Sequence, residues 1–484
     1  MSTTADSPLT SYQTLFIGGE WVTPASQDTI EVISPVTEQV IAMVPAASEG
    51  DVDAAVAAAR EAFDHGPWPR LSPAERADAL RRIGDQVAAR LDRFKEIFTQ
   101  EIGATRAVSE AFLSFGVEAW YDAARIHERF AFEEERTWQD GGGTVIREPV
   151  GVVAAVIPWN GPVTMSSIKM ASALAAGCTV VLKPAPEGPV GPLLLAEAIA
   201  ASGLPKGVVS IIPGGRETGE YLISHPGIDK VTFTGSTAAG RRIMSRCGER
   251  IARVTLELGG KSAGIVADDI PLEEFLTDVA FAGIGNSGQV CAAITRILVP
   301  REREQEIVDA LVPLFEQVTV GDPSDPETVL GPLVAERQRD RVEEYIRIGK
   351  AEGAHVATGG GRPKHLEHGW YVEPTLFTGV RNDMRIAREE IFGPVVCVIP
   401  FDSIDEAVEI ANDTEYGLSG AVYARDEELA RSIARRIRTG QVAINGWGMC
   451  VVEPFGGYKQ SGLGREGGVE GISAYLETKL ILHG

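Results

Sequence analysis

Four short segments of the sequence each place a reactive or polar side chain beside glycine. Cys291 follows a stretch with three glycines and a serine, and Glu257 interrupts an apolar run just before two glycines. Asn160 ends the apolar run VIPW, and Ser236 follows Gly235 at the start of a helical pattern. A thiol can act as a nucleophile and a carboxylate as a general base. An amide can stabilise an oxyanion, and a helix N-terminus can bind a phosphate.

Each of these side chains also has a purely structural interpretation. Cys291 could be a small buried hydrophobic residue, which is how most free cysteines behave. Glu257 could be a solvated carboxylate at a sheet edge instead of a base whose pKa is raised in a cleft. Asn160 could shape the Gly–Pro turn that follows it, and Ser236 could do no more than cap a helix. No single segment therefore decides the function.

In combination, the four segments resemble the aldehyde dehydrogenase superfamily, and in particular its non-acylating, hydrolytic members. Asn160, Ser236, Glu257 and Cys291 occur in the family's order within matching flanking words. Two further family signatures are present, EEIFGPV from Glu389 and PFGGYKQSG later in the chain. The resemblance covers nearly the whole sequence.

This resemblance implies a catalytic mechanism. Cys291 is similar in position to the family's nucleophile, and Asn160 with the Cys291 backbone N–H to its oxyanion hole. Glu257 resembles the base that activates water to hydrolyse a thioester. Lys169 and Glu466 fall at positions that the family associates with proton relay, with a surface ion pair as the alternative.

The resemblance further implies a dinucleotide cofactor, with NAD as the first choice and NADP open. Members that prefer NAD often carry an acidic residue three positions after the equivalent of Lys183, where this chain has Pro186 followed by Glu187. The residues that resemble cofactor contacts at the riboses, the phosphate and the nicotinamide are Trp159, Lys183, Gly235, Ser236, Glu390 and Phe392.

None of the positions that the resemblance assigns to the substrate pocket is charged. They are Gly161, Met165, Ile168, Val290, Ala292, Trp447 and Met449. A semialdehyde would need an arginine for its distal carboxylate, so we expect a hydrophobic aldehyde of medium to large size. Gly161 stands where many relatives carry an aromatic side chain, which predicts added room next to Asn160.

The segments that must position these residues alternate between strands and helices. From residue 151, nearly continuous apolar runs are typical of parallel strands buried on both faces, with helices such as 192–202 between them. A second alternation occupies about 290–450, with helices predicted at 302–318, 335–352, 404–412 and 427–438 and strands at ITRILVP, VVCVIPF and QVAINGW. Residues 16–45 read as a small antiparallel strand set, followed by helices at 51–63, 73–89 and 91–101 for which Ser48 and Ser72 are possible N-caps.

The predicted fold class is α/β, with a Rossmann-like parallel-sheet cofactor domain, a second α/β catalytic domain and a small β oligomerisation arm. Residues 1–128 and 149–256 are expected to form the NAD(P)-binding domain and 257–460 the catalytic domain. Residues 129–148 and 461–484 are expected to form the oligomerisation arm and the C-terminal tail. We expect a homodimer or homotetramer, because 130–147 and 478–482 could pair with another subunit.

Composition limits the partners. The 484 residues include 44% hydrophobic and 23% charged side chains, which is ordinary for a globular protein of two or three domains. The net charge of −23 repels phosphate backbones and anionic lipids, so neither nucleic acid nor a membrane is an expected partner. The beginning of the chain lacks an apolar leader and the five scattered cysteines form no CxxC pair, so we expect a cytoplasmic protein with no metal site.

Three other functions compete with this hypothesis. An acylating enzyme would pass the acyl group to coenzyme A, but family members of that kind usually lack the glutamate found here as Glu257. A cysteine hydrolase would need a histidine base, whereas His365 and His368 lie in a polar Gly-rich stretch typical of a loop. A non-catalytic binding or structural protein is disfavoured by the intact Cys291, Glu257 and Asn160.

Overall fold

The computed structural model describes residues 9–448, 450 and 452–483. Met449, predicted above to line the substrate pocket, lies outside the described residues. The strands found within these residues are β1 Leu15–Ile17, β2 Glu20–Val22, β3 Thr29–Ile33, β4 Val40–Pro45, β5 Glu133–Trp138, β6 Gly141–Pro149, β7 Val152–Val156, β8 Thr179–Lys183, β9 Val209–Ile211, β10 Lys230–Thr234, β11 Arg253–Glu257, β12 Ser262–Val266, β13 Ile294–Pro300, β14 His355–Thr358, β15 Thr375–Thr378, β16 Val395–Phe401, β17 Gly420–Tyr423, β18 Ala443–Ile444, β19 Gly462–Leu463 and β20 Leu476–His483.

Helices pack around these strands. They are α1 Glu49–Asp64, α2 Pro73–Ala88, α3 Leu91–Ile102, α4 Arg106–Arg125, α5 Pro162–Ala176, α6 Val190–Ser202, α7 Arg216–Ser224, α8 Thr237–Glu249, α9 Leu272–Ala282, α10 Glu304–Glu316, α11 Glu336–Ala351, α12 Arg385–Arg388, α13 Ile404–Asn412, α14 Glu427–Ala434 and α15 Gly468–Ser473. None of the described helices is both long and apolar enough to cross a lipid bilayer.

The first sheet has eight strands in the order β19-β11-β10-β7-β8-β9-β1-β2. The five central strands run parallel, and every residue of β7 and β8 is buried because helices cover both faces. In register, Val156 pairs with Lys183 and Thr234 with Glu257. The carboxyl ends of these four strands are therefore level, which brings the segments that follow them to one edge of the sheet.

The second sheet has seven strands in the order β14-β15-β16-β13-β12-β17-β18, all parallel except β14. The chain passes from the first sheet to the second between Glu257 and Ser262. Cys291 lies just before β13, in the segment that joins β12 to β13 within the second sheet. The predicted α/β fold class is confirmed, and the exact division into domains stays a prediction.

A third sheet, in the order β20-β6-β5, is antiparallel and joins the two segments that were expected to form the arm. It exposes large apolar side chains, among them Trp138, Leu480 and Leu482. Part of the expected tail lies elsewhere, since β19 pairs with β11 and α15 packs on α5. This pairing covers what would otherwise be an open edge of the first sheet.

Most predicted elements are present. Ser48 and Ser72 form capping boxes at the starts of α1 and α2, as their positions before acidic residues favour. The helix expected over 427–438 ends at Ala434, and the strand expected over 441–447 is reduced to β18. After this helix, Gly440 lies in contact with the main chain of Gly456, since a Cβ at position 440 would lie 1.5 Å from the Gly456 carbonyl oxygen.

Candidate active site

A cavity of about 560 Å³ opens between the first and second sheets and gathers most of the predicted site residues. Its lining includes Cys291, Asn160 and Glu257, which come from three distant parts of the chain. Predicted cofactor and relay residues that also line it are Trp159, Gly235, Ser236, Glu390, Phe392 and Glu466. A thiol, an amide and a carboxylate thus share one concave space.

The loop before Cys291 has an unusual backbone. Asn286 and Ser287 have φ of 50° and 56°, and Gly288 has φ of 71°. A Cβ on Gly288 would lie 2.1 Å from the Gly393 carbonyl group, so only glycine fits this approach. Consecutive left-handed residues are strained, and such strain is common where a loop is held for function.

The Cys291 side chain is half-buried and lines the cavity. Burial, and then the nearby charges of Glu390 and Glu257, raise the pKa of the thiol to about 12. In these surroundings the Cys291 thiol is therefore protonated at neutral pH. Attack on an electrophile requires a base or a change in the local charge.

Asn160 lies four residues after the end of β7 and directly before Gly161, the N-cap of α5. Its amide nitrogen donates a hydrogen bond to the Gln289 carbonyl oxygen at 2.9 Å, which ties it to the loop that carries Cys291. An amide nitrogen has two hydrogens, so one remains for a second acceptor in the cavity. The side chain is therefore positioned by the nucleophile's own loop.

Glu257 is the last residue of β11, and its side chain is buried against the cavity. Neither carboxylate oxygen has a hydrogen-bond partner among the described residues. Burial, with added repulsion from Glu466, raises the pKa of this carboxyl well above its ordinary value. A carboxylate with free oxygens and a raised pKa is suited to accept a proton from water.

Lys169 and Glu466 form an ion pair behind Glu257. The Lys169 ammonium also donates to the Thr232 hydroxyl at 3.2 Å. Both partners of the pair are buried, so the alternative of a surface ion pair is wrong. Lys169 on α5 and Glu466 before α15 both reach the Thr232 hydroxyl on β10, the strand that pairs with β11 and its last residue Glu257.

The first sheet also presents groups suited to a ribose and a phosphate. The buried Lys183 ammonium donates to the Pro184 and Gly214 carbonyl oxygens, each at 2.7 Å, and burial lowers its pKa to about 8. Ser236 caps α8, with its hydroxyl accepting from the Ala239 N–H at 3.3 Å. Gly235 and Ser236, at the N-terminus of α8, line the cavity, and the first N–H groups of a helix have no partner within the helix.

A second group of candidate contacts comes from the second sheet. Burial raises the pKa of Glu390 to about 7, and one of its oxygens accepts from the Gly260 N–H at 3.1 Å. Phe392 has a φ of 64° and its ring meets that of Trp159 edge to face, with 5.4 Å between centroids. Both sheets therefore contribute residues to the lining of the cavity.

With this geometry established, residues 21–481 are found to match the aldehyde dehydrogenase family. The chain belongs to this family. Among the relatives of this aldehyde dehydrogenase is the geranial dehydrogenase of Castellaniella defragrans, 45% identical over 97% of this chain and 98% of that protein.

Solved aldehyde dehydrogenase structures have the same fold. That of Mycobacterium tuberculosis, complexed with NAD+, has a TM-score of 0.97 and 46% identity and covers 98% of this chain and 99% of its own. A cysteine-to-alanine mutant of aldehyde dehydrogenase C from Pseudomonas syringae, complexed with NAD+ and octanal, has a TM-score of 0.94 and 42% identity, covering 97% of this chain and 96% of its own.

The predicted substrate-pocket residues of this aldehyde dehydrogenase divide into two sets. Met165, Ile168 and Val290 line the cavity. Ala292 is fully buried behind it, and its carbonyl oxygen accepts from the Trp447 indole N–H at 3.0 Å. Ala292 is not among the residues that line the cavity, and its contact with the substrate stays a prediction.

The room expected beside Gly161 is absent. Phe112, from α4, fills it: a Cβ on Gly161 would lie 3.1 Å from the Phe112 ring. The expectation considered only the residue after Asn160. It was wrong because Phe112, a residue distant in sequence, places its ring against Gly161.

Several residues of the aldehyde dehydrogenase site were not predicted. Gln338 and Arg341 donate to the carbonyl oxygens of Phe392 and Glu390 at 2.7 and 2.6 Å and so hold the EEIFGPV segment in place. Arg337 forms an ion pair with Glu187 across the two sheets. The remaining unpredicted lining residues are Phe112, Pro158, Thr164, Thr234, Leu258, Gly259, Cys450, Phe455 and Gly467. Some of them lie within the segments singled out in the sequence, namely Phe455 in the PFGGYKQSG word and Pro158, Thr234, Leu258 and Gly259 beside Asn160, Gly235 and Glu257.

Proposed function

We propose that this protein oxidises an aldehyde to the carboxylic acid with NAD(P), through a thioester on Cys291 that water hydrolyses. The observation that carries the proposal is the single cavity lined by Cys291, Asn160 and Glu257. Each has the chemistry that one stage requires: a nucleophile, an oxyanion donor and a base. The test is formation of the reduced dinucleotide, followed by its absorbance, with NAD and NADP against a panel of aldehydes.

The first stage uses Cys291 and Asn160. The Cys291 thiol gives its proton to solvent, its sulfur then bonds to the aldehyde carbon, and the carbonyl electron pair moves to oxygen. The free amide hydrogen of Asn160 and the backbone N–H of Cys291 donate to the resulting alkoxide. Because Asn160 is already bonded to the Gln289 carbonyl oxygen, little reorganisation is needed at the moment of reaction.

The described residues fit a dinucleotide. Glu390 offers a carboxylate and Lys183 an ammonium for ribose hydroxyls, and the N-terminus of α8 at Ser236 offers N–H groups for a phosphate. Trp159 and Phe392 offer aromatic surface for a nicotinamide. When bound there, NAD(P) supplies the two-electron acceptor that turns the adduct into a thioester.

The last stage uses Glu257. Its free carboxylate accepts a proton from water as the water oxygen bonds to the thioester carbon. The carbon–sulfur bond then breaks, and the Cys291 thiolate leaves. The buried Glu466–Lys169 pair lies beside Glu257 and offers a path for the proton to leave the site.

NAD is the first choice of dinucleotide. Glu187 does not replace the acidic residue that NAD-preferring members often carry at position 186, because its carboxylate pairs with Arg337, so the choice of NAD rests on the relatives. Relatives with this fold are complexed with NAD+, which supports NAD for this chain. A ratio of kcat/KM that favours NADP would contradict this choice.

The apolar wall of the cavity supports a hydrophobic substrate of medium to large size. Met165, Ile168, Val290, Phe112 and Phe455 all line it. The relatives that act on geranial or bind octanal point the same way. Hexanal, an aromatic aldehyde and succinate semialdehyde, assayed side by side, provide the test, and fastest turnover of the semialdehyde would contradict the proposal.

Assembly and location belong to the same proposal. We infer a homodimer or homotetramer that covers the third sheet, whose outer strand β20 exposes Leu480, Ile481 and Leu482. Light scattering of the wild type and of Leu482→Glu tests this, with a smaller particle expected for the variant.

Five free cysteines suit the reducing cytoplasm, which cell fractionation would check.

A further inference from the structure

Phe112 and Gly161 meet at the wall of the cavity. A Cβ on Gly161 would lie 3.1 Å from Cδ1 and 3.3 Å from Cε1 of the Phe112 ring, and 3.9 Å from Cγ of Met165. The two shortest of these distances are tighter than ordinary side-chain contacts. Any residue larger than glycine at position 161 therefore has to displace the Phe112 ring.

The helix that carries Phe112 is held firmly against α5. The Thr164 hydroxyl donates to the Phe112 carbonyl oxygen at 2.6 Å, and the Trp120 indole N–H donates to the Ser167 hydroxyl at 3.0 Å. Both bonds are buried and both join α4 to α5. The backbone of Phe112 is thus fixed relative to the start of α5.

The Phe112 ring also has support from behind. The Phe98 ring packs against it, with 5.9 Å between centroids and 44° between planes. Phe112 belongs to the same buried apolar cluster as Val290, and Cys291 packs against that cluster. The ring therefore forms a rigid wall of the space in front of the thiol.

We propose that Phe112 is a specificity-determining residue. Its ring, for which Gly161 leaves space, narrows the cavity next to Asn160. Aldehydes with a branch at the carbon beside the carbonyl group are therefore excluded. This inference rests on the proposed function, in which Asn160 binds the aldehyde oxygen. The carbons next to the carbonyl then lie nearest to Gly161 and the Phe112 ring. A fixed wall at that point rejects a branch by steric overlap, because a packed side chain cannot yield without strain.

The test compares octanal with its branched isomer 2-ethylhexanal. In Phe112→Ala and Phe112→Leu we expect kcat/KM for the branched aldehyde to rise relative to that for octanal, by about tenfold or more in the alanine variant. Leu113→Ala is the matched control, since Leu113 is a buried neighbour on α4 that faces the main core instead of the cavity. Its ratio should equal that of the wild type.

Gly161→Phe provides the reciprocal variant. Alone it forces two rings into one space and should lower thermal stability, whereas combined with Phe112→Ala it should restore both stability and discrimination against 2-ethylhexanal. Folded Phe112 variants with an unchanged ratio of the two aldehydes would overturn the inference. A wild-type protein that oxidises neither octanal nor any other aldehyde would instead overturn the proposed function.

Discussion

Glu257 and Glu466 lie at the same buried wall of the cavity, and the charge of Glu466 adds to burial in raising the pKa of Glu257. The two carboxyl groups differ in their surroundings. Glu466 pairs with Lys169, while neither oxygen of Glu257 has a partner among the described residues. Because one carboxyl is paired and the other is not, the two have different roles, and Glu257 is the one whose oxygens are free to bind water.

The raised pKa of Glu257 predicts a pH dependence of turnover. Only the ionised carboxylate can accept a proton from water, and a raised pKa moves ionisation to higher pH. When hydrolysis limits turnover, kcat should therefore rise with pH above the range in which an ordinary glutamate ionises. In Glu466→Gln the repulsion is removed, so the rise should move to lower pH. A kcat profile of wild type and variant provides the measurement, and an unmoved rise would contradict it.

Glu257→Gln should separate the two halves of the reaction. Thioester formation does not need the base, so a single-turnover burst of NADH should remain. Steady-state turnover should fall by about 10²- to 10⁴-fold, the usual contribution of a general base. Stopped-flow absorbance measures both phases. Glu302→Gln is the control, because Glu302 is an exposed residue after β13, and it should retain both the burst and the steady-state rate.

Two outcomes would argue against hydrolysis by Glu257. One is an unchanged steady-state rate in Glu257→Gln. The other is acceleration of the wild-type enzyme by coenzyme A, which would indicate acyl transfer to a thiol in place of water.

Asn160→Ala should reduce kcat/KM by about 10²- to 10³-fold, which is the usual cost of losing one oxyanion donor. The amide donates to an alkoxide that exists only after attack, so the loss should fall mainly on kcat. Alkylation of Cys291 by iodoacetamide in the same variant checks that the thiol is still accessible. A loss below about threefold, with normal alkylation, would exclude Asn160 from the oxyanion hole.

The sequence predicted the strands and the residues that follow them better than it predicted the cavity's walls. Runs such as ITRILVP and VVCVIPF coincide with β13 and β16, because strands buried on both faces leave an unbroken apolar pattern. Asn160 and Glu257 were found because they interrupt such patterns at strand ends. The spacing of these residues does not show that they lie near Cys291, and this expectation came from the family resemblance.

Phe112 shows what the sequence could not reveal. It is one apolar residue among many on α4, and its role depends on how closely α4 packs against α5. Arg337 and Gln338 are similar cases, since their contacts with Glu187 and Phe392 join segments far apart in the chain. Contacts of this kind are decided by tertiary packing and leave no local periodicity.

The Lys169–Glu466 pair provides a last prediction, about stability. Removing one partner of a buried ion pair leaves the other charge without compensation, which costs about 3–5 kcal/mol. Lys169→Met should therefore lower Tm clearly, and Lys169→Met combined with Glu466→Gln should recover most of the loss, because no unpaired charge remains. Lys206→Met is the control: its pair with Glu20 is exposed on both sides, and exposed pairs contribute little. Scanning calorimetry measures all three variants. If Lys169→Met lowered Tm no more than Lys206→Met, the pair would not be structurally important, and its place beside Glu257 would have to be explained by proton transfer alone.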